Sequence, residues 1–326
     1  MAIIKYDCYQ TKIENNSFDK CDKLHQLILN DSIKTIKPKT SEMIKSIKTI
    51  NNVVIPNTVT NLENESFIEY SSLIQIHLPP TVKSIGERTF LLCTSLPNII
   101  IPPSVVSIGK WAFARCSLLT HIEIAPSVTS ICDGAFSCCS LVNVEIPSSV
   151  KSIGSSCFIS CPSLQQITIP PTITIINKLT FYNCSSLRQF NIPESIQIID
   201  DQAFEGCYSL TNIAIPSSVQ SIGEYTFKGC SELSSIMIDF YQTKIQNNSF
   251  DDCNKLNQMI LNDTIKIIKP KASEIIQIIK SINSVIITNS TRIIDEESFI
   301  NFASLTQIDI PSSVTQIGSS SFNSCY

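Results

Sequence analysis

The sequence predicts a repeat solenoid of stacked 22–23-residue units, each contributing one short parallel β-strand, with an irregular or short helical (3-10) segment on the convex side. Three observations predict it. Phe67, Phe90, Phe113, Phe136, Phe158, Phe181, Phe204, Phe227 and Phe250 follow one another at intervals of 23 residues, with one interval of 22. Counted from each Phe, Cys falls at +3, apolar residues at +6, +9, +11 and +15, Pro usually at +12, Ile at +18 and often Gly at +19. Finally, 326 residues that are 43% hydrophobic and 16% charged, with a formal net charge of −4, can bury a continuous core and carry no strong electrostatic signature.

Each part of the unit has a physical reading. From +6 to +11 the pattern L-x-x-I-x-I sends alternate residues inward and outward, as a half-buried strand does. Pro at +12 lacks the N–H that would continue the ladder, so it ends the strand and turns the chain. Val at +15 and Ile at +18 re-enter the core. The stretch before the next Phe, as in GEYTF or GKWAF, suits either a turn or a single helical turn. No unit can bury its apolar face alone, so the units must stack.

Two gaps of 49 residues, Phe18 to Phe67 and Phe250 to Phe299, each hide a degenerate unit. With the zero at Ile44, residues Ile47, Ile50, Val53, Ile55, Pro56, Val59 and Leu62 fall into register. A zero at Ile276 does the same for Ile279, Ile282, Val285, Ile287 and Ile294. These units, at about 34–62 and 266–294, follow roughly three extra residues near Pro38 and Pro270. With the start at Phe322 there are fourteen repeat starts, and a single solenoid over 1–326 is expected. The block beginning at Tyr9 returns at Tyr241, a shift of 232, so that 9–94 is duplicated as 241–326. Duplication argues against any one residue being an irreplaceable catalyst.

The motif SLxxIxIPxSVxSIGxxAFxxC, written across nearly every unit, resembles the BspA-like class of leucine-rich repeats, a surface-antigen-type family. The resemblance implies a leucine-rich-repeat arc and a role in adhesion or protein recognition, and it brings no catalytic residues. Departures are Ala125, Asn262 and Thr288 for the Pro, and Cys132, Asn177 and Asp200 for the Gly.

Fourteen cysteines raise the question of metals or disulfides. Ten sit at +3: Cys21, Cys93, Cys116, Cys139, Cys161, Cys184, Cys207, Cys230, Cys253 and Cys325. Elsewhere Tyr70, Phe302, Ile47 and Ile279 take that place, so the column reads as a core ladder needing an apolar body. Off the ladder, Cys8, Cys132, Cys138 and Cys157 form no CxxC pair and have no His close in sequence, so neither metal nor cofactor is expected. His25, His77 and His121 come without a nucleophile elbow, phosphate loop or His-Glu-x-x-His motif, and no enzyme is expected. The pairs Asp200-Asp201, Asp251-Asp252 and Glu296-Glu297 read as solvated turns. Lys34, Lys37, Lys39, Lys45 and Lys48, echoed by Lys266, Lys269, Lys271 and Lys280, read as a solvated rim. Nucleic acid is not an expected partner, and no apolar run is long enough to span a membrane. The start MAIIKYDCYQ has no signal-peptide character, which points to the cytosol, while the family resemblance points to the cell surface.

The outward strand columns carry the functional expectation. Column +8 reads Gln26, Asn52, Gln75, Asn98, His121, Asn143, Gln166, Gln189, Asn212, Ser235, Gln258, Ser284 and Gln307, a polar and nearly uncharged row. Column +10 runs from Ile28 and Val54 through His77, Ile100, Glu123, Glu145, Thr168 and Asn191 to Ala214, Met237 and Ile260, polar in the middle and apolar at both ends. Either the amides bond to one another as a structural ladder, or the row binds a ligand. The expected partner-binding residues on a concave strand face are Gln75, His77, Asn98, His121, Glu123, Asn143, Glu145, Gln166, Thr168, Gln189 and Asn191. The chain stops at Cys325-Tyr326 before the strand of its last unit, which suggests a truncated product, a piece of a longer array, or an edge that stacks end to end on another copy. A non-enzymatic interaction or adhesion module with a protein ligand is therefore expected, with structural self-assembly through the ends as the alternative.

Overall fold

A computed structural model describes residues 2–6, 24–29, 31, 33–37, 50–239, 241–270, 279 and 281–325. The expectations for Cys8, Phe18, Cys21, Pro38, the unit zeros Ile44 and Ile276, Ile47, and Lys39, Lys45, Lys48, Lys271 and Lys280 lie outside the described residues. The chain divides into two compact units, Met1–Thr172 and Ile173–Tyr326.

The first unit contains β1 (Ala2–Tyr6), β2 (Leu24–Leu29), β3 (Thr35–Ile36), β4 (Asn52–Val54), β5 (Asn61–Leu62), β6 (Gln75–His77) and β7 (Ser84–Ile85). It continues with β8 (Asn98–Ile100), β9 (Ser107–Ile108), β10 (His121–Glu123), β11 (Ser130–Ile131), β12 (Asn143–Glu145), β13 (Ser152–Ile153) and β14 (Gln166–Thr168). The strands over +8 to +10, three residues long except for the longer β1 and β2, pair in parallel as β1-β2-β4-β6, β8-β10 and β12-β14. A second ladder, β3-β5-β7-β9-β11-β13, forms from two-residue segments near +17, Ser-Ile in four of the six, so these turns hold a second, shorter strand besides the expected one.

The second unit repeats the scheme with β15 (Ile175–Ile176), β16 (Ile198–Ile199), β17 (Asn212–Ala214), β18 (Ser221–Ile222), β19 (Ser235–Ile238) and β20 (Lys244–Ile245). It ends with β21 (Gln258–Leu261), β22 (Ile267–Ile268), β23 (Ser284–Ile286), β24 (Ile293–Ile294), β25 (Gln307–Asp309) and β26 (Gln316–Ile317). Here β17-β19-β21-β23-β25 is the long-strand ladder, and β15-β16-β18-β20 and β22-β24-β26 are the short-strand ladders. Residues 189–191 occupy the strand columns but form no strand. Phe190 stands there in place of Ile, its ring edge-on to Phe204 at 4.8 Å and tilted against Phe181 at 5.1 Å.

The core is a stack of phenylalanines. In the first unit the Phe67, Phe90, Phe113, Phe136 and Phe158 rings follow one another at 5.4, 5.2, 5.6 and 5.5 Å between centroids. In the second, Phe181–Phe204, Phe204–Phe227, Phe227–Phe250 and Phe299–Phe322 stack at 5.2, 5.4, 5.2 and 5.3 Å. Rings this far apart in nearly parallel planes are offset, the arrangement aromatic quadrupoles favour.

The segment around each Phe is a run of turns, and no helix occurs among the described residues. Residues at −2 and +2 are left-handed in each described turn, as at Glu65 (φ 63°), Glu69 (φ 57°), Leu179 (φ 58°) and Asn183 (φ 56°). That geometry aims alternate N–H groups at the next turn of the chain. Glu65, Phe67 and Glu69 donate to the carbonyls of Glu87, Thr89 and Leu91 at 2.8, 2.8 and 2.6 Å, while the intervening Ser66, Ile68 and Tyr70 N–H groups close turns onto Glu63, Glu65 and Phe67. In the second unit Gln202, Phe204 and Gly206 donate in the same way to Glu224, Thr226 and Lys228. A continuing helix would spend its N–H groups beyond the first turn internally, so they could not alternate between closing turns and reaching the next turn of the chain.

Side chains add further rungs. Thr81, Ser104 and Ser127 Oγ donate to the carbonyls of Val59, Val82 and Val105 at 2.6, 2.6 and 2.7 Å, and Ser195 Oγ donates to Ile173 at 2.6 Å. This explains the hydroxyl that follows Pro in Ile-Pro-x-Ser-Val. The Gly at +19 is needed for close approach: a Cβ on Gly109 would lie 2.6 Å from the Gly86 carbonyl carbon and 2.7 Å from the Glu87 nitrogen.

Candidate functional site

The thiol column belongs to the core. Cys93, Cys116, Cys139 and Cys161 are buried, and each Sγ–H donates to the carbonyl of the Phe one turn earlier, at 3.2, 3.1, 3.1 and 3.2 Å. Cys207, Cys230 and Cys253 do the same in the second unit. Tyr70, in the same column, sends its hydroxyl to Ile50 O at 2.9 Å. At these residues the position uses a donor as well as the apolar body expected, while Ile279 and Phe302 fill it with an apolar side chain alone. Burial pushes the thiols of Cys116, Cys161 and Cys253 up to about 12, and those of Cys139, Cys157, Cys207 and Cys230 well above the ordinary range. The described cysteines are free thiols, and those whose titration burial pushes up, Cys116, Cys139, Cys157, Cys161, Cys207, Cys230 and Cys253, are held protonated and unreactive.

The off-ladder cysteines fall into other columns. Cys132 takes the Gly position, Cys138 a left-handed position at φ 56°, and Cys157 the small buried position before the Phe, where Ser66, Thr89 and Ala112 sit in other turns. Among the described residues no group of three or more His, Cys, Asp or Glu side chains is placed to hold a metal ion. Lys34, Lys37, Lys266 and Lys269 are exposed, as is His25. Of the acidic pairs, Asp201 is spent on structure: its Oδ1 accepts the Glu224 N–H at 2.9 Å and its Oδ2 faces Lys178 Nζ at 3.6 Å.

On the strand face, pairing puts the +8 and +10 columns in register. Asn52 lies opposite Gln75, Asn98 opposite His121, and Asn143 opposite Gln166; Ile100 pairs with Glu123 and Glu145 with Thr168. In β6, β8, β10, β12 and β14 the outer two residues are exposed and the central one is buried. The alternation of the strand does this, because the inward Ile76, Ile99, Ile122, Val144 and Ile167 are held by the core. Asn52 Nδ2 donates to Gln75 Oε1 at 3.1 Å, one rung of an amide ladder. Among the described residues, Asn98, His121, Asn143 and Gln166 share no side-chain hydrogen bond along the row, so their donors and acceptors face solvent.

Two hollows follow this face. Gln75, His77, Asn98 and Ile100 line one of about 280 Å³ together with Pro80, Pro102 and Pro103. His121, Glu123, Asn143, Glu145, Gln166 and Thr168 line a groove of about 1000 Å³ with Pro126, Pro147 and Ser148. The expected residues of the first unit are thus brought together in two neighbouring sets. Gln189 and Asn191 belong to the second unit, exposed on either side of buried Phe190. Sequence reasoning missed the proline walls, although each Pro ends the strand beside the column it flanks. It also underrated Ile100, 62% exposed in the middle of the face.

A model of the BspA type leucine-rich repeat region matches residues 3–90, 40–165, 151–277 and 278–326. The chain belongs to the BspA-type leucine-rich repeat family. Among solved structures, this BspA-type chain is similar to a leucine-rich repeat protein from Bacteroides ovatus, at 24% identity over 85% of this chain and 77% of that one, with a TM-score of 0.53. A leucine-rich repeat protein of T. pallidum is 33% identical over 49% of this chain and 78% of that one, with a TM-score of 0.47. A leucine rich cell surface protein from Faecalibacterium prausnitzii is 22% identical over 93% and 81%, with a TM-score of 0.46. No protein of curated function matches the sequence. Among the described residues of this BspA-type chain, no helix is long and apolar enough to cross a membrane.

Proposed function

We propose that the chain is a non-enzymatic recognition module that binds a protein ligand on the strand face of its first unit. The contact residues are Gln75, His77, Asn98, His121, Glu123, Asn143, Glu145, Gln166 and Thr168. The observation that carries this reading is the row of exposed polar side chains over two hollows, in which Asn98, His121, Asn143 and Gln166 are not hydrogen-bonded to one another. The fold needs only the inward residue of each strand, so the outward ones are free to serve a partner. Glu123 and Glu145 favour a ligand with a Lys or Arg opposite the groove, and exposed Ile100 favours an apolar contact beside it. Gln189 and Asn191 hold the same columns in the second unit and are assigned the same role there.

The test is a photo-crosslinking residue at Asn143 to identify the partner, followed by binding of that partner to the Glu123→Lys, Glu145→Lys variant. Loss of binding with an unchanged melting curve supports the reading, and unchanged binding to every identified partner ends it. Adhesion and intracellular scaffolding are separated by impermeant biotinylation of intact source cells: labelling makes the module an adhesin, protection makes it a scaffold.

End-to-end self-association is favoured by a second observation. Ile310 and Ile317 are 39% and 51% exposed in the last described turn, whereas Ile287 and Ile294, in the same columns one turn earlier, are buried. Mass in solution that rises with concentration, and stays monomeric in Ile317→Asp, supports this; a strict monomer at high concentration refutes it.

A further inference from the structure

In the second unit, the turns after Phe181, Phe204, Phe227 and Phe250 carry a hollow of about 410 Å³, built from the +1 to +4 columns rather than from the strand columns. Column +2 is left-handed in the described turns of the unit, and at Asn183, Asp252 and Asn301 it carries a side chain. Gly206 and Gly229 are consecutive members of that column. Packing disfavours a side chain at the first: a Cβ on Gly206 would lie 2.1 Å from Asn183 Oδ1, and the amide would have to swing aside. It leaves room for one at the second. A Cβ on Gly229 would meet nothing closer than Tyr208 Cε1 at 3.8 Å, an ordinary contact. Its φ of 73° lies in the same left-handed region that Asn183 and Asp252 hold at 56° and 59° with side chains.

What the bare Gly229 leaves open is the ring of Tyr208. Column +4 is Ser185, Ser231 and Asn254 in the flanking turns, so an aromatic there is a departure from the unit pattern, and Tyr208 is 50% exposed. Around it stand Glu205, Lys228, Asp252 and Asn254. Lys228 Nζ lies 5.1 Å from the Tyr225 ring centroid, and Glu205 accepts from Gln202 Nε2 at 2.8 Å, so both polar walls are braced from within the unit.

We propose that this hollow is a saccharide-binding site, with one sugar ring lying on Tyr208 above Gly229 and its hydroxyls hydrogen-bonded to the polar walls. An exposed tyrosine face matches the C–H face of a pyranose, apolar on one side and hydroxylated at its rim. Carboxylates accept, an ammonium donates and an amide does both, which is the mixture that sugar hydroxyls require. A cationic ligand would be repelled by Lys228 and an anionic one by Glu205 and Asp252, whereas a neutral polyhydroxylated ligand uses all of them. The volume lies within the roughly 300–1,000 Å³ that small-molecule sites occupy.

Saturation-transfer NMR on the full chain tests this, with methyl glycosides and trisaccharides of glucose, galactose, mannose and N-acetylglucosamine as probes and choline and inorganic phosphate as charged controls. At least one saccharide should show transfer, and Tyr208→Ser and Gly229→Asn should each weaken it by about tenfold or more, the scale of one aromatic contact. Both substitutions install residues that neighbouring turns already carry in those columns, so both variants should melt as the parent does. Glu123→Lys, on the strand face, should leave saccharide binding unchanged, which keeps this site independent of the protein-binding one. No transfer to any saccharide, transfer that survives both variants, or choline or phosphate binding instead would overturn the proposal.

Discussion

Phe113→Ala perturbs the core in the middle of the first unit's ring stack. The ring is fully buried and stacked on both sides, against Phe90 at 5.2 Å and 10° and against Phe136 at 5.6 Å and 11°. Truncating a buried Phe costs about 3–5 kcal/mol, through lost transfer energy and the cavity left behind. Two aromatic neighbours, each worth about 0.5–1.5 kcal/mol beyond area burial, place this site at the upper end, about 4–5 kcal/mol. Phe322→Ala is the internal control: that ring is half-buried and stacks on Phe299, so the same change should cost about half as much or less. Urea unfolding can be followed locally by Trp111, the one tryptophan, which sits two residues before Phe113 and packs against Gly134. If Phe113→Ala lowered stability no more than Phe322→Ala, the ring stack would not be what holds the turns together.

Other outcomes follow from the backbone and the thiols. Ser160, at φ 55° and half-buried, should tolerate Gly within about 1 kcal/mol, while Ser160→Val should lose about 2 kcal/mol because a β-branched side chain clashes in the left-handed region; thermal melts compare them. Gly109→Ala should cost about 1–3 kcal/mol, since its Cβ would press on the Gly86 and Glu87 backbone; an unshifted melting curve would mean the turns sit further apart. The thiols of Cys116, Cys161 and Cys253 titrate at about 12 when folded and near 9 when unfolded, so the stability they contribute is full below about pH 9 and is lost as pH rises towards 12. Urea midpoints measured between pH 8 and 11 should fall through that window, and the fall should shrink in Cys116→Ala.

Much of this fold is legible in the sequence because the solenoid repeats its constraints. The Phe interval gives the turn length, L-x-x-I-x-I gives the strand and Pro its end; the pairing of Asn98 with His121 is the register that counting from Phe predicts, and that of Asn143 with Gln166 follows from aligning L-x-x-I-x-I across the one 22-residue interval. The turn segment was harder to read. GEYTF and GKWAF are compatible with a helical turn, and the left-handed residues Trp111 and Tyr225 are not glycine, so nothing in their identity announces φ near +55°. A column-wise reading would have helped, since the −2 and +2 positions of the described turns hold no Val, Ile or Thr in a chain otherwise rich in them. The candidate face was legible as two columns of residues, but its division into two hollows was not.

The sequence by itself therefore determines the period, the strand, the buried columns and the family, because each is a local rule repeated at a fixed interval and self-consistent from turn to turn. Tertiary structure alone decides where alternate N–H groups go, which carbonyl each thiol of the Cys column reaches, and which outward side chains meet around a hollow. Those depend on contacts between residues some 23 positions apart, where the partner is set by stacking geometry and not by neighbours in the chain.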